Sequence, residues 1–156
     1  MRICFVCEGN IIRSPLAKNM FQHLAEEQGV SEKYQLDSAG TSAYHVGEKP
    51  DSRMRKVARE RGFEYTGRAR QFRQEEVDHF DLILAMDRNN YQRLKSWAGT
   101  QTEETKIRLM REFDPQGGGD QDVPDPYYGG LEGFETTFDI VKRSCAGLLA
   151  ELESGS

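Results

Sequence analysis

The chain has 156 residues, close to the size of one compact domain and long enough to bury a core without disulfides or metals. Hydrophobic residues make up 37% and charged residues 30%, the balance of a folded globular protein rather than a disordered or fibrous one. The net charge of −5 argues against a general nucleic-acid binder, and no run of about 18 apolar residues exists to cross a bilayer.

The first residues, Met1-Arg2-Ile3-Cys4-Phe5-Val6, lack the leader, apolar stretch and cleavage site of a secretory signal. The three cysteines, Cys4, Cys7 and Cys145, are too few and odd in number to build a disulfide framework. His23, His45 and His79 are scattered without the spacing of a zinc site, so no metal is expected. A reducing, cytoplasmic setting is the expectation.

In chain order, Arg2 to Val6 is an apolar run that reads as a buried strand. Pro15 suits the first turn of a helix, with Ser14 ahead of it as a cap. Leu16, Met20, Phe21 and Leu24 mark its apolar face and Gly29 its end. Tyr34 to Ala39 reads as a second strand. Pro50-Asp51 opens a second helix, with Met54, Val57 and Ala58 on its buried side. A third strand is expected over 81–85, a helix over 88–97 and a fourth strand over 106–110. Residues 113–130, rich in Asp, Gly and Pro, read as a long loop, which in a small domain is usually functional or disordered. A last helix is expected from about Leu131 to Leu152, with Phe134, Phe138, Val141, Cys145, Leu148 and Leu152 at helical spacing. Strands alternating with helices predict an α/β fold with a parallel sheet and a site beyond the carboxyl ends of its strands.

Charge is unevenly placed. Residues 53–73 hold eight Lys/Arg against two Glu, and residues 112–156 hold ten Asp/Glu against two Lys/Arg. Solvated helix faces account for this pattern, and so does a basic patch that steers an anionic substrate.

The chemistry is concentrated in Cys7-Glu8-Gly9-Asn10-Ile11-Ile12-Arg13-Ser14-Pro15, between the first strand and the first helix. Five residues between Cys7 and Arg13 can curl so that backbone N–H groups converge on one point. With the helix N-terminus they form a nest for a tetrahedral anion. Gly9 and Asn10 tolerate the left-handed backbone of such a curl. Arg13 offers a planar fork for two phosphate oxygens. The same field favours an ionised, nucleophilic sulfur on Cys7, and the Ser14 hydroxyl can bond to it. A leaving oxygen also needs a proton donor. Asp125, between Pro124 and Pro126, is held extended on a loop where its carboxyl is free for that work. Tyr127 and Tyr128 beside it offer aromatic surface to a flat substrate group, although an Asp-Pro turn with two packing tyrosines is the plainer account of this loop taken alone.

On these residues the chain resembles the low-molecular-weight protein tyrosine phosphatases. The resemblance rests on Phe5-Val6-Cys7, Gly9-Asn10-Ile11 and Arg13-Ser14-Pro15, then Asp37-Ser38, Ala69-Arg70-Gln71, Phe80-Asp81, Ile83-Leu84 and Met86-Asp87. It ends with Asp114-Pro115-Gln116 and Asp125-Pro126-Tyr127-Tyr128-Gly129. It implies one domain over 1–156, a four-stranded parallel sheet flanked by helices and a phosphate-binding loop after the first strand. By position, Cys7 would attack phosphorus to form a phosphocysteine. Arg13 and the amides of residues 8–14 would hold the phosphate oxygens, and Asp125 would be the general acid and then the base. Asn10 and Ser38 would keep the loop in shape, and Asp87 would be a supporting carboxylate. Ile11, Tyr44, Tyr127 and Tyr128 would flank the phenyl ring. No cofactor is implied. The expected partners are phosphotyrosine proteins, such as a tyrosine kinase, with no nucleic acid or membrane involved and a monomeric chain.

The chain departs from that pattern at four places. Ile12 stands where many members have a second cysteine able to trap the oxidised nucleophile. Glu8 occupies a rim position that is often uncharged. Gly67 stands where animal members have a His touching the loop asparagine, so the loop needs another support. Gly117-Gly118-Gly119 suggests a mobile approach to the acid loop. Three other readings remain. An arsenate reductase on this scaffold relays electrons through further cysteines near the middle of the chain, and residues 8–144 contain none. A phosphoarginine phosphatase would prefer Thr at the position of Ile11 and lack the tyrosine pair. A non-catalytic phosphate- or nucleic-acid-binding module would have no use for Cys7, Arg13 and Asp125 together.

Overall fold

A computed structural model describes residues 1–155; Ser156, the last residue of the expected domain, lies outside the described residues. The strands are β1 (Arg2–Cys7), β2 (Gln35–Gly40), β3 (Leu82–Ala85) and β4 (Ile107–Leu109). The helices are α1 (Arg13–Glu27), α2 (Ser52–Glu60), α3 (Arg88–Trp97), α4 (Gln101–Thr105) and α5 (Leu131–Ser154). Each element expected from the sequence is present, with ends shifted by a few residues. The short α4 and the 3₁₀ turns at 31–33, 74–78 and 110–113 carry too few apolar residues to show a periodicity.

The four strands form one parallel sheet in the order β2-β1-β3-β4. Alternation along β1 divides the interior in two. Ile3, Phe5 and Cys7 face the larger core, which contains buried residues of α1, α2 and α5. Cys4 and Val6 face the smaller one, with Phe72, Phe80, Ile83 and Leu94. Phe134, Phe138, Val141, Cys145 and Leu148 of α5 are all buried, as their spacing predicts, whereas Leu152 is only partly covered. Truncating either phenylalanine to Ala would cost about 3–5 kcal/mol.

β1 has β2 on one side and β3 on the other, so the strand order reverses there. Its carboxyl end is the crevice where parallel α/β sheets bind ligands. Cys7 is the last residue of β1 and Arg13 the first of α1, so residues 8–12 lie in that crevice. The expected cap at Ser14 is not made. Ile12 precedes the helix without a side-chain cap, and Ser14 sits inside the first turn with its hydroxyl turned to the loop. No helix among the described residues is long and apolar enough to cross a membrane.

Candidate active site

The loop from Cys7 to Arg13 curls around the sulfur of its own first residue. The Asn10 amide donates to Cys7 Sγ at 3.2 Å, and Ser14 Oγ lies 3.0 Å from the same sulfur. Ser14 Oγ accepts from Asn10 Nδ2 at 2.8 Å, which leaves its proton free for the sulfur; the Ala39 carbonyl, at 3.4 Å, is the weaker alternative. The amides of Glu8, Gly9, Ile11 and Ile12 donate to no backbone carbonyl among the described residues. Unpaired amides gathered in one curl are the donor set of an anion nest.

Asn10 carries the turn. Its φ of 56° makes it the one non-glycine left-handed residue among those described. Its Nδ2 also donates to Ser38 Oγ at 3.0 Å, and its Oδ1 accepts the Arg70 amide at 2.9 Å. This Arg70 contact supports the loop from the segment just beyond Gly67. Gly9, by contrast, is not left-handed; it is small because the His45 ring lies 2.9 Å from where its Cβ would be. Gly40, at the end of β2, is also required: a Cβ there would stand 2.6 Å from the Glu8 carbonyl oxygen.

Arg13 is 3% exposed and lies at the floor. Its Nη1 donates to Asp87 Oδ2 at 2.7 Å and to the Val123 carbonyl at 3.1 Å, and its Nη2 lies 3.5 Å from Asp125 Oδ2. Burial opposes the guanidinium charge, but attraction to Cys7 and the bond to Asp87 outweigh it and raise its pKa, so Arg13 stays cationic. Asp125 is nearly half exposed, and its Oδ1 accepts the Tyr127 amide at 3.1 Å, a local turn that aims the other oxygen at Arg13.

Cys7, Arg13 and Asp125 open into one cleft of about 390 Å³. Glu8, Gly9, Ile11 and Ile12 line it beside them, and Tyr44, Tyr127 and Tyr128 stand around its mouth. Tyr44 and Tyr128 are 85% and 97% exposed, unusual for tyrosines without a partner to cover them. Asn10, Ser14, Ser38 and Asp87 stand behind the lining and hold it. Every residue expected at the site is therefore in the cleft or bonded to its lining, except Ser38, which reaches the lining through Asn10.

Ser42 and His45 complete the lining without having been expected. His45 Nδ1 bonds Glu48 Oε2 at 2.8 Å, and its ring meets those of Tyr44 and Tyr127. Arg53 was also unforeseen. It pairs with Asp51 at 2.8 Å, donates to the Tyr127 carbonyl at 3.1 Å and lies over the Tyr127 ring, tying α2 to the acid loop. The single available signal was its place in the basic segment. Part of that segment is neutralised: Arg61 pairs with Asp139, and Arg70 pairs with Asp37 and Glu76. The triple glycine region is likewise tethered, because Arg111 reaches Asp114, Asp120 and the Asp122 carbonyl.

The model of the family described as low molecular weight phosphotyrosine protein phosphatase matches residues 2–155. A low molecular weight protein-tyrosine-phosphatase of Streptomyces coelicolor is 43% identical over 150 residues, 96% of this chain and 92% of that protein. A crystal structure of a protein tyrosine phosphatase from Entamoeba histolytica superposes with a TM-score of 0.94 at 40% identity, covering 99% of this chain and 98% of that one. A Drosophila arginine phosphatase shares the fold with a TM-score of 0.91 at 28% identity, covering both chains fully. The chain belongs to the low molecular weight phosphotyrosine protein phosphatase family.

Proposed function

We propose that Cys7, Arg13 and Asp125 carry phosphotyrosine hydrolysis in this phosphatase through a phosphocysteine intermediate. The observation that carries this reading is the meeting of the three in one cleft, with the sulfur held by the Asn10 amide and the Ser14 hydroxyl. The Cys7 sulfur attacks phosphorus opposite the phenol, forming an S–P bond as the P–O bond to the aryl group breaks. Arg13 and the free loop amides hold the equatorial oxygens as charge develops on them. The Asp125 carboxyl gives its proton to the departing phenol oxygen. In the second step the Asp125 carboxylate takes a proton from water, the water oxygen bonds to phosphorus and the S–P bond breaks. Inorganic phosphate and the starting thiolate result.

Tyr44, Tyr127, Tyr128 and Ile11 receive the phenyl ring. The paired tyrosines and Ile11, which give a phenyl ring an aromatic and apolar wall, support this over a phosphoarginine substrate. Phosphotyrosine proteins are the partners, and we assign the chain as a monomer of the cytoplasm. Supporting this are three unpaired, buried cysteines, and exposed aromatics confined to the cleft mouth rather than spread over a docking face. The test is hydrolysis of a phosphotyrosine peptide and a phosphoarginine peptide without added metal. Turnover of the first, lost in Cys7→Ser and much slower on the second, is expected. Preference for phosphoarginine, or an active Cys7→Ser protein, would refute the assignment.

A further inference from the structure

The charges around the cleft are unequal in sign. Among the described lining residues Arg13 is the one permanent cation, and it is buried at the floor. Glu8 is exposed on the wall beside Cys7, and its carboxylate makes no ion pair among the described residues. Asp125 is the second exposed carboxylate of the lining. His45, the remaining ionisable base there, is already bonded to the Glu48 carboxylate. The Arg53 cation behind Tyr127 is engaged by Asp51. A phosphate that enters thus meets cationic and amide donors only at the floor. The peptide around it, which cannot enter, meets carboxylates at the rim.

The backbone of Glu8 is anchored at the rim. Its carbonyl oxygen accepts the Ser42 amide at 3.0 Å, and the same oxygen closes on Gly40, so the peptide group that follows the side chain is held in place. We propose that Glu8 sets the sequence preference of this phosphatase, favouring phosphotyrosines flanked by Lys or Arg and disfavouring those flanked by Asp or Glu. The proposal rests on the phosphotyrosine reading above. A rim charge acts on residues that do not change during the reaction, so its effect is the same in ground and transition states and is read mainly in KM. It acts through solvent, so salt screens it.

The experiment uses two phosphotyrosine peptides identical except for Lys or Glu on either side of the phosphotyrosine. Each is measured on the wild type, E8Q and E8K. The readout is the ratio of kcat/KM between the two peptides within each protein, so a general loss of activity in a variant cancels. The wild type is expected to favour the Lys peptide by about three- to tenfold at low salt, mainly through KM, and less at about 1 M salt. The ratio falls toward one in E8Q and inverts in E8K. Should E8K fail to fold by circular dichroism, E8Q carries the test. Equal kcat/KM for the two peptides in the wild type, or an unchanged ratio in E8Q, overturns the role of Glu8 while leaving phosphotyrosine hydrolysis intact. Hydrolysis of neither peptide by the wild type overturns both.

Discussion

Asp87 divides its two carboxylate oxygens between Arg13 and the start of α3. Oδ2 accepts from Arg13 Nη1 at 2.7 Å, and Oδ1 accepts the Asn90 amide at 2.8 Å as the helix cap. The direction of the guanidinium is therefore coupled to the packing of a helix on the opposite face of the sheet. Asp87→Asn can keep the cap but not the charge. It should lower kcat/KM about tenfold with little change in denaturation midpoint. Asp87→Ala loses both, and should cost about 1 kcal/mol more in stability. Kinetics and urea unfolding of the two variants, compared side by side, separate the roles; identical stabilities would show that the cap carries no weight.

Asp125 is nearly half exposed and bonded to the Tyr127 amide, so replacing it disturbs no core packing. Asp125→Asn should slow hydrolysis of a phosphotyrosine peptide by roughly 10²–10⁴-fold. The loss should be much smaller on p-nitrophenyl phosphate, whose phenolate leaves without needing a proton. Measuring kcat across a series of phenol leaving groups tests this, and a uniform loss along the series would remove Asp125 from the general-acid role.

Oxidation should be hard to reverse here. Ile12 replaces the neighbouring thiol, and Cys4, though only three residues from Cys7, points to the other face of the sheet into a separate core. Burial holds the Cys4 thiol well above its ordinary pKa, with Asp37 adding to the effect, and burial likewise raises Cys145. Neither supplies the thiolate that would trap a sulfenic acid. Brief peroxide followed by dithiothreitol is expected to restore little activity. Full recovery that disappears in Cys4→Ser would show a resolving cysteine after all.

Asp114 lies fully buried between Arg111, at 2.9 Å, and Arg143, at 2.9 and 3.1 Å. Burial alone would raise its pKa. The bonds from Arg143, the Gln116 amide and Arg111 outweigh that and hold it below the ordinary carboxylate range. The unfolded chain then binds a proton more readily than the folded one. The stability from Asp114 is whole above about pH 4 and is lost as pH falls through the lower folded value. Asp114→Asn leaves Arg143 without its carboxylate and Arg111 with only its longer pair to Asp120, and should cost about 3 kcal/mol at neutral pH. The gap between wild-type and variant melting temperatures should narrow below about pH 4; a gap that widens on acidification would contradict the sign of the shift.

The α/β class, the order of the main elements and the anion loop are legible in the residues alone. These follow from local rules: alternation in β1, apolar spacing in α1 and α5, and a contiguous Cys-x5-Arg-Ser segment whose donors are neighbours along the chain. What holds that loop emerges only once the chain is folded. Asn10 is fixed by Ser38 and by the Arg70 amide, 28 and 60 residues away, and Arg13 by Asp87, 74 residues away. Gly40 matters because β2 pairs with β1 in one register, and Gly9 because His45 folds back over it. Ser14 looked like a cap because Ser before Pro favours a helix start, but the sulfur of Cys7 competes for its hydroxyl. Local preference selects backbone shape within a few residues. Which distant side chains then share a hydrogen bond depends on strand order and register, and these minimise buried unpaired groups over the whole fold rather than over any segment.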